Sequence, residues 1–258
     1  MRRLVSDRYF LGRKCVYCDS NKLYRLKTKG KIKCKHCKKY YSLRKLRQDL
    51  EVLYYFYLEV SARKTAKELG LNYKTVQSKF MDFRKDIAIH CNAKAEKLNG
   101  ELELDESYFG GKKKGTRGRG AKNKAIVFGI LERKGKVYTA IVPNVSKETL
   151  MAEIEKKTIK GSVFYSDGWK SYVDLEQYGK HNIIDHDENY VEGSTHINGI
   201  EGFWSYAKER FHKYHGIKKY NYPLYLKEME FRFNNRNRNL FKLLCDICIR
   251  RLVGAKNG

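Results

Sequence analysis

Four cysteines near the start of the chain constrain its fold most. Cys15-Val-Tyr-Cys18 and Cys34-Lys-His-Cys37 are two CxxC pairs with fifteen residues between them. Each pair can seat two thiolates on a tight knuckle, and a short hairpin from Leu23 to Lys33 brings the two knuckles together as corners of a tetrahedron. The spacing predicts a zinc ribbon over residues 1–45, with Cys15, Cys18, Cys34 and Cys37 binding one structural Zn²⁺. Four unrelated buried thiols would not produce it. His36, inside the second knuckle, reads as a bystander.

The 258-residue chain carries 55 Lys and Arg against 29 Asp and Glu, a formal charge of +26. Solubility needs far less, so a polyanion is the natural partner, and nucleic acid comes first. Residues 1–50 alone hold 17 Lys and Arg against three acids, which marks the N-terminal end for binding. No apolar run approaches the roughly 20 residues of a membrane span, and no signal-peptide core follows the basic start. The expectation is a soluble protein of the reducing cytoplasm, associated with the nucleoid and with no membrane partner.

After the ribbon, Leu46, Leu50, Leu53, Tyr54, Tyr57 and Leu58 give one helix face. Ala62, Thr65, Ala66 and Leu69 give a second, which Gly70 ends, and Asn72 caps a third carrying Val76, Phe80 and Phe83. That is the layout of a helix-turn-helix, whose last helix offers Tyr73, Lys74, Gln77 and Ser78 to a DNA major groove. A DNA-binding region with a linker helix is therefore expected over residues 46–98, with Cys91 as an ordinary thiol.

From Gly100 the pattern alternates. Leu102 and Leu104 interleave with Glu101, Glu103 and Asp105, a strand whose polar face ends in Asp105, followed by Glu106, Tyr108 and Gly110-Gly111. The next stretch, Lys112 to Lys124, has seven Lys and Arg and no acid. Directly behind a carboxylate, Lys112, Arg117 and Arg119 are well situated to hold a nucleic-acid backbone. Ala125 to Leu131 and Val137 to Val142 read as two further strands, and Ser146 caps a helix through Lys157. Val163 to Asp167 is a buried strand ending in a second acid; a short helix to Tyr178 and a strand from His181 to Asp185 follow. Three strands, helix, strand, helix, strand, helix is the order of a ribonuclease-H-like mixed sheet. In that fold the first and fourth strands are neighbours, which brings Asp105 beside Asp167.

The final helix of that series runs from Ser194 to Lys208, with Ser194 and Thr195 as N-caps and Ile197, Ile200, Phe203, Trp204 and Ala207 inward. Asn198, Glu201 and Lys208 stack along its polar stripe. Gly199 and Gly202 each cost roughly 1 kcal/mol relative to Ala in a helix, so both are expected where the helix approaches something closely. Leu226, Met229 and Phe233 predict a further helix that covers the sheet and ends at Asn234-Asn-Arg-Asn-Arg238, offering Arg to DNA. A third CxxC, Cys245-Asp-Ile-Cys248, lies on an apolar helical stretch without a partner pair and reads as core packing. The catalytic domain is bounded at 99–240, with a C-terminal helix and tail at 241–258.

Asp105-Glu-Ser-Tyr-Phe-Gly-Gly111, Gly118-Arg-Gly-Ala121, Gly135-Lys-Val-Tyr138, Val142-Pro-Asn144 and His196-Ile-Asn-Gly-Ile-Glu-Gly-Phe-Trp204 with Ala207-Lys208 resemble the DDE transposases of ISXO-like bacterial insertion sequences. Merlin transposons of eukaryotes look related to the same group. The resemblance covers about residues 10 to 240. It implies a transposase that binds terminal inverted repeats and performs Mg²⁺- or Mn²⁺-dependent cleavage and strand transfer. Its partners would be double-stranded DNA, both element ends and target, and further copies of itself as a homodimer or higher. The acidic triad falls on Asp105, Asp167 and Glu201, with Lys208 seven residues beyond the last. Some members of the family carry Asn or His third, so Asn198 and His196 are rivals for that position. Carboxylates suit phosphodiester cleavage because it needs a charge clamp of hard cations rather than a protein nucleophile. A transposase-derived DNA-binding regulator without cleavage, or a nuclease on the same fold, are the alternatives.

Overall fold

A computed structural model describes residues 14–26, 30–93, 96–110, 124–167, 170–184, 197–214 and 216–252. Lys112, Arg117, Arg119, Ser194, Thr195 and His196 lie outside these residues. The chain divides into two compact units, residues 1–90 with 235–258, and residues 91–234.

In the first unit, β1 (Leu23–Leu26), β2 (Lys31–Cys34) and β3 (Tyr40–Ser42) form an antiparallel sheet. Among the described residues Cys15, Val16, Ile32, Cys34 and Tyr41 are its buried hydrophobic residues. Ser42 ends β3 and caps α1 (Leu43–Tyr57), accepting from the Lys45 amide. α1 buries Leu46, Leu50, Leu53 and Phe56, whereas Leu58 lies past its end and is exposed. α2 (Ala62–Leu69) is capped by Ser61 and stopped by Gly70 at φ +62°, the left-handed conformation that glycine adopts without penalty. Asn72 then accepts from the Lys74 amide to start α3 (Tyr73–Ala93). α3 is one continuous helix of 21 residues, so the residues expected to form a separate linker extend it as far as Ala93. Val76, Phe80 and Phe83 face inward; Tyr73, Lys74, Gln77 and Ser78 are exposed. α7 (Leu240–Leu252) packs on α1 through Phe241, which meets Tyr54 and Tyr57 at 5.4 Å between ring centres. Cys245 and Cys248 are buried there.

The second unit is a five-stranded mixed sheet. β4 (Glu101–Phe109), β5 (Ala125–Glu132) and β6 (Val137–Val142) form an antiparallel meander, and β7 (Val163–Asp167) and β8 (Lys180–Ile184) join parallel to β4, giving the order β6-β5-β4-β7-β8. This is the ribonuclease-H-like arrangement expected from the element order. One face is covered by α4 (Lys147–Lys157) and a 3-10 helix (Lys170–Gln177) over Leu102, Leu104, Phe128, Ile130 and Phe164. The other is covered by α5 (Asn198–Lys213) and α6 (Tyr222–Asn234) over Val127, Leu131 and Tyr165. α6 also closes the edge strand: the Val137 amide donates to Asn234 at 2.7 Å, and the Thr139 amide donates to Glu230 at 3.0 Å. Among the described residues no helix is long and apolar enough to cross a membrane.

Candidate active site

β4 and β7 pair in parallel register, Glu101 with Val163, Leu102 with Phe164 and Glu103 with Tyr165. Two residues further on, the same register sets Asp105 level with Asp167, the last residue of β7. Asp105 is not at a strand end, as the alternation suggested. It is the fifth of nine residues, and β4 continues to Phe109 because β5 still pairs with it there. Glu106, next in sequence, points to the opposite face of the sheet and accepts the Tyr172 hydroxyl at 2.5 Å, so it does not join the acids.

α5 lies across the Asp105 face. Ile200, Phe203, Trp204 and Ala207 are buried under it, leaving Asn198, Glu201, Lys208 and Gly202 exposed. Trp204 fits a slot that exists because β5 has glycine opposite Asp105: a Cβ on Gly129 would come within 2.5 Å of the indole. Gly199 is likewise needed, since a Cβ there would meet Glu103 Oε2 at 2.7 Å. Gly202 is not, because a Cβ there meets nothing within 4 Å. Only one of the two helix glycines therefore answers to packing. The first residue of α5 is Asn198, and Ile197 stands at the cap position without a side-chain cap bond; Ser194 and Thr195 lie outside the described residues.

Both oxygens of Asp105 are held. Oδ1 accepts the Glu106 amide at 2.8 Å and Oδ2 accepts the Trp204 indole N–H at 2.9 Å. Each carboxylate oxygen has two acceptor directions, so one on each remains for another donor or a cation. Burial pushes the Asp105 carboxyl up to about 6; the Glu106 amide and Trp204 indole pull it down, while the charges of Asp167 and Glu201 add to the rise. Asp167 and Glu201 are thus each near enough to act on Asp105, and the all-oxygen donor set of the three suits Mg²⁺ or Mn²⁺. They are more open than the thiol cluster: among the described residues only the four cysteines gather their ligand atoms within 4.8 Å.

The raised Asp105 value has a definite sign. Between pH 4 and 6 the Asp105 carboxyl holds its proton more in the folded protein than in the unfolded chain, so its contribution to stability falls as pH rises through that window and is flat above it. At about 1.4 kcal/mol per unit, the charge costs about 2–3 kcal/mol at neutral pH. In metal-free buffer, Asp105→Asn should therefore gain about 2 kcal/mol on the wild type between pH 4 and 7.5 in denaturant melts. Parallel pH profiles of the two proteins would refute this.

The thiol cluster is built on two copies of one knuckle. The Asp19 amide donates to the Cys15 carbonyl and the Lys38 amide to the Cys34 carbonyl, with Asp19 and Lys38 both at positive φ. Cys15 and Cys37 sulfurs are 3.6 Å apart, and Cys18 and Cys34 sulfurs 3.7 Å. A tetrahedron with Zn–S of about 2.3 Å has edges of about 3.8 Å, so the cluster fits zinc. Burial pushes the Cys15 thiol up to about 12. For Cys34 the amides of Cys37 and His36, with the Cys18 and Cys15 thiols, outweigh burial and bring it down to about 7.

Sequence reasoning missed Glu103. It is 1 % exposed and accepts the Ile200 amide at 2.8 Å and Arg133 Nε at 3.1 Å. Its only trace in the sequence is alternation, which reads equally well as a solvated face.

The profile of the ISXO2-like transposase domain matches residues 97–234. An "Uncharacterized transposase-like protein" of Haemophilus influenzae is 43% identical over 104 residues, covering 40% of this chain and 84% of that protein. An "Uncharacterized protein in transposable element ISH50" of Halobacterium salinarum is 26% identical over 205 residues, 71% of this chain and 67% of that protein. Among solved structures, the Mos1 Strand Transfer Complex aligns with a TM-score of 0.33 at 10% identity, covering 74% of this chain and 71% of that one.

Proposed function

This chain belongs to the ISXO2-like transposase family, and on that footing we propose that it binds the terminal inverted repeats of its own insertion sequence and catalyses metal-dependent DNA cleavage and strand transfer there. The observation that supports the proposal is the parallel register that sets Asp105 level with Asp167, under a helix whose Glu201 is near enough for its charge to reach Asp105. These three would hold Mg²⁺ or Mn²⁺, which when bound activates water or a DNA 3′-hydroxyl and stabilises the leaving oxygen. The chain's own groups do the positioning. The Glu106 amide and Trp204 indole orient the Asp105 carboxylate. Lys208, about two turns along α5 from Glu201, would grip a phosphate of the attacked strand. Asn198, one turn earlier on the same exposed stripe, is the rival third ligand.

DNA binding divides between reading and holding. Tyr73, Lys74 and Gln77 are exposed on the first turns of α3 and would meet base edges. The ribbon lysines, with Lys112, Arg117 and Arg119 of the basic stretch that follows β4 in the sequence, would hold phosphates. Joining two element ends to one target asks for a homodimer or larger assembly on DNA. The test is incubation with the DNA flanking its own gene in Mg²⁺. Nicks at terminal inverted repeats, absent with EDTA, are expected. Binding without nicks in Mg²⁺ or Mn²⁺ would favour a regulator, and cutting at random sites a nuclease.

A further inference from the structure

Building on that reading of the site, we propose that Glu103 is its positioning residue: a buried carboxylate on β4 that clamps the first turn of α5 and so sets Glu201 against Asp105.

The first amides of a helix have no partner within it, and the residue at the cap position of α5, Ile197, has no side chain that could accept from them. Glu103 Oε2 supplies the missing acceptor, taking the amide of Ile200, the residue immediately before Glu201. Glu201 stands in the first turn, where helices fray, so this bond holds the segment that carries the third acid. An anion at a helix N-terminus also meets the positive end of the macrodipole. Glu103's own charge is answered by Arg133, whose guanidinium lies 3.7 Å from the Tyr165 ring centre and 3.6 Å from Glu101 Oε1. Tyr165 in turn donates its hydroxyl to Glu101 at 2.7 Å. The clamp is therefore anchored on β4, on β7 and on the turn that follows β5.

Asp105 and Trp204 make a second latch parallel to the first. From Glu103 to Asp105 is two strand residues, roughly 6.6 Å. From Ile200 to Trp204 is four helix residues, roughly 6 Å. The two spacings match, so one strand and one helix are pinned at two points in a single register. Gly199 keeps the approach open, since any Cβ there would strike the Glu103 carboxylate.

Two variants separate the hydrogen-bond acceptor from the ion pair. Glu103→Gln with Arg133→Met keeps an oxygen for the Ile200 amide without leaving an unpaired guanidinium; Glu103→Leu with Arg133→Met removes the oxygen as well. With end-bearing DNA, the Gln variant should cleave within about threefold of wild type, and calorimetry without DNA should give a similar Mn²⁺ affinity. The Leu variant should melt cooperatively and bind end DNA within twofold, yet lose about tenfold in Mn²⁺ affinity and about 100-fold in cleavage at saturating Mn²⁺. Equal losses in both variants, or none in either, would overturn the proposal. Amide exchange in the wild type tests it without any substitution. The Ile200 amide should be protected like core amides although it lies in a first helical turn, and exchange at the open-chain rate would overturn the clamp. A wild type that protects Ile200 but leaves DNA uncut would instead overturn the reading of the site while supporting the clamp.

Discussion

Asp105→Ala and Asp167→Ala are each expected to lower Mg²⁺-dependent cleavage of end-bearing DNA by about 1,000-fold or more, a loss of about 4 kcal/mol of transition-state stabilisation. Binding to that DNA should change little, because carboxylates repel phosphates and these two would act on the phosphodiester only through a cation. Folding should survive as well. Burial disfavours the charge of Asp105 in the folded protein, and Asp105→Ala removes that charge along with two hydrogen bonds. The informative comparison is on α5. Glu201→Ala should match the two aspartate variants, since Glu201 is the helix acid whose charge reaches Asp105. Asn198→Ala should cost far less; the reverse ranking would move the third ligand one turn earlier. Lys208→Ala should slow cleavage and weaken strand binding while sparing metal binding. If all three carboxylate variants cut at the wild-type rate in Mg²⁺, the proposed chemistry fails.

Stripping metal from the four-thiol cluster should unfold the ribbon altogether. Among the described residues its buried apolar set is a handful, too few by themselves to offset the entropy of ordering three short strands. Structural zinc in comparable sites contributes about 10–16 kcal/mol at neutral pH, so metal binding and folding should here be one event. Purified protein should carry one tightly held zinc per chain, and Cys15→Ser or Cys34→Ser should abolish it. Proteolysis would then open the segment between Lys14 and Ser42 while leaving the five-stranded sheet intact. Cys245→Ser with Cys248→Ser should leave the zinc content unchanged, because those thiols are buried in α7 packing. Zinc-free protein with a protected ribbon segment would sink the assignment.

Much of this protein is local in origin and therefore legible in its residues. The CxxC spacing specifies two knuckles because ligand geometry acts over three residues. Gly70, Asn72 and Ser146 mark helix boundaries through their own backbone and side-chain preferences, and each is found doing so. The alternation from Leu102 and the apolar run before Asp167 announce strands. With right-handed crossovers and short connections, their order leaves few sheets to choose from. The pairing of Asp105 with Asp167 follows from that order alone.

What the tertiary structure decided are contacts between residues far apart in the chain, where local preference has nothing to say. Glu103 looks like a solvated strand residue until α5 closes over it, and then it is a buried cap 97 positions from the amide it accepts. Gly129 reads as a weak point in a strand until Trp204 occupies the space above it. Gly199 and Gly202 are chemically identical, yet only the first touches anything, because the helix face toward the sheet is set by the sheet. The start of α5 went the same way: Ser194 and Thr195 are good caps in isolation, but the first helical turn lies where a carboxylate on β4 reaches its amides. By itself the sequence determined which elements form and in what order the acids arrive. Only the packed sheet and helix decided which groups hold those acids in place, because a buried charge or a tight approach is defined by the partner across the gap.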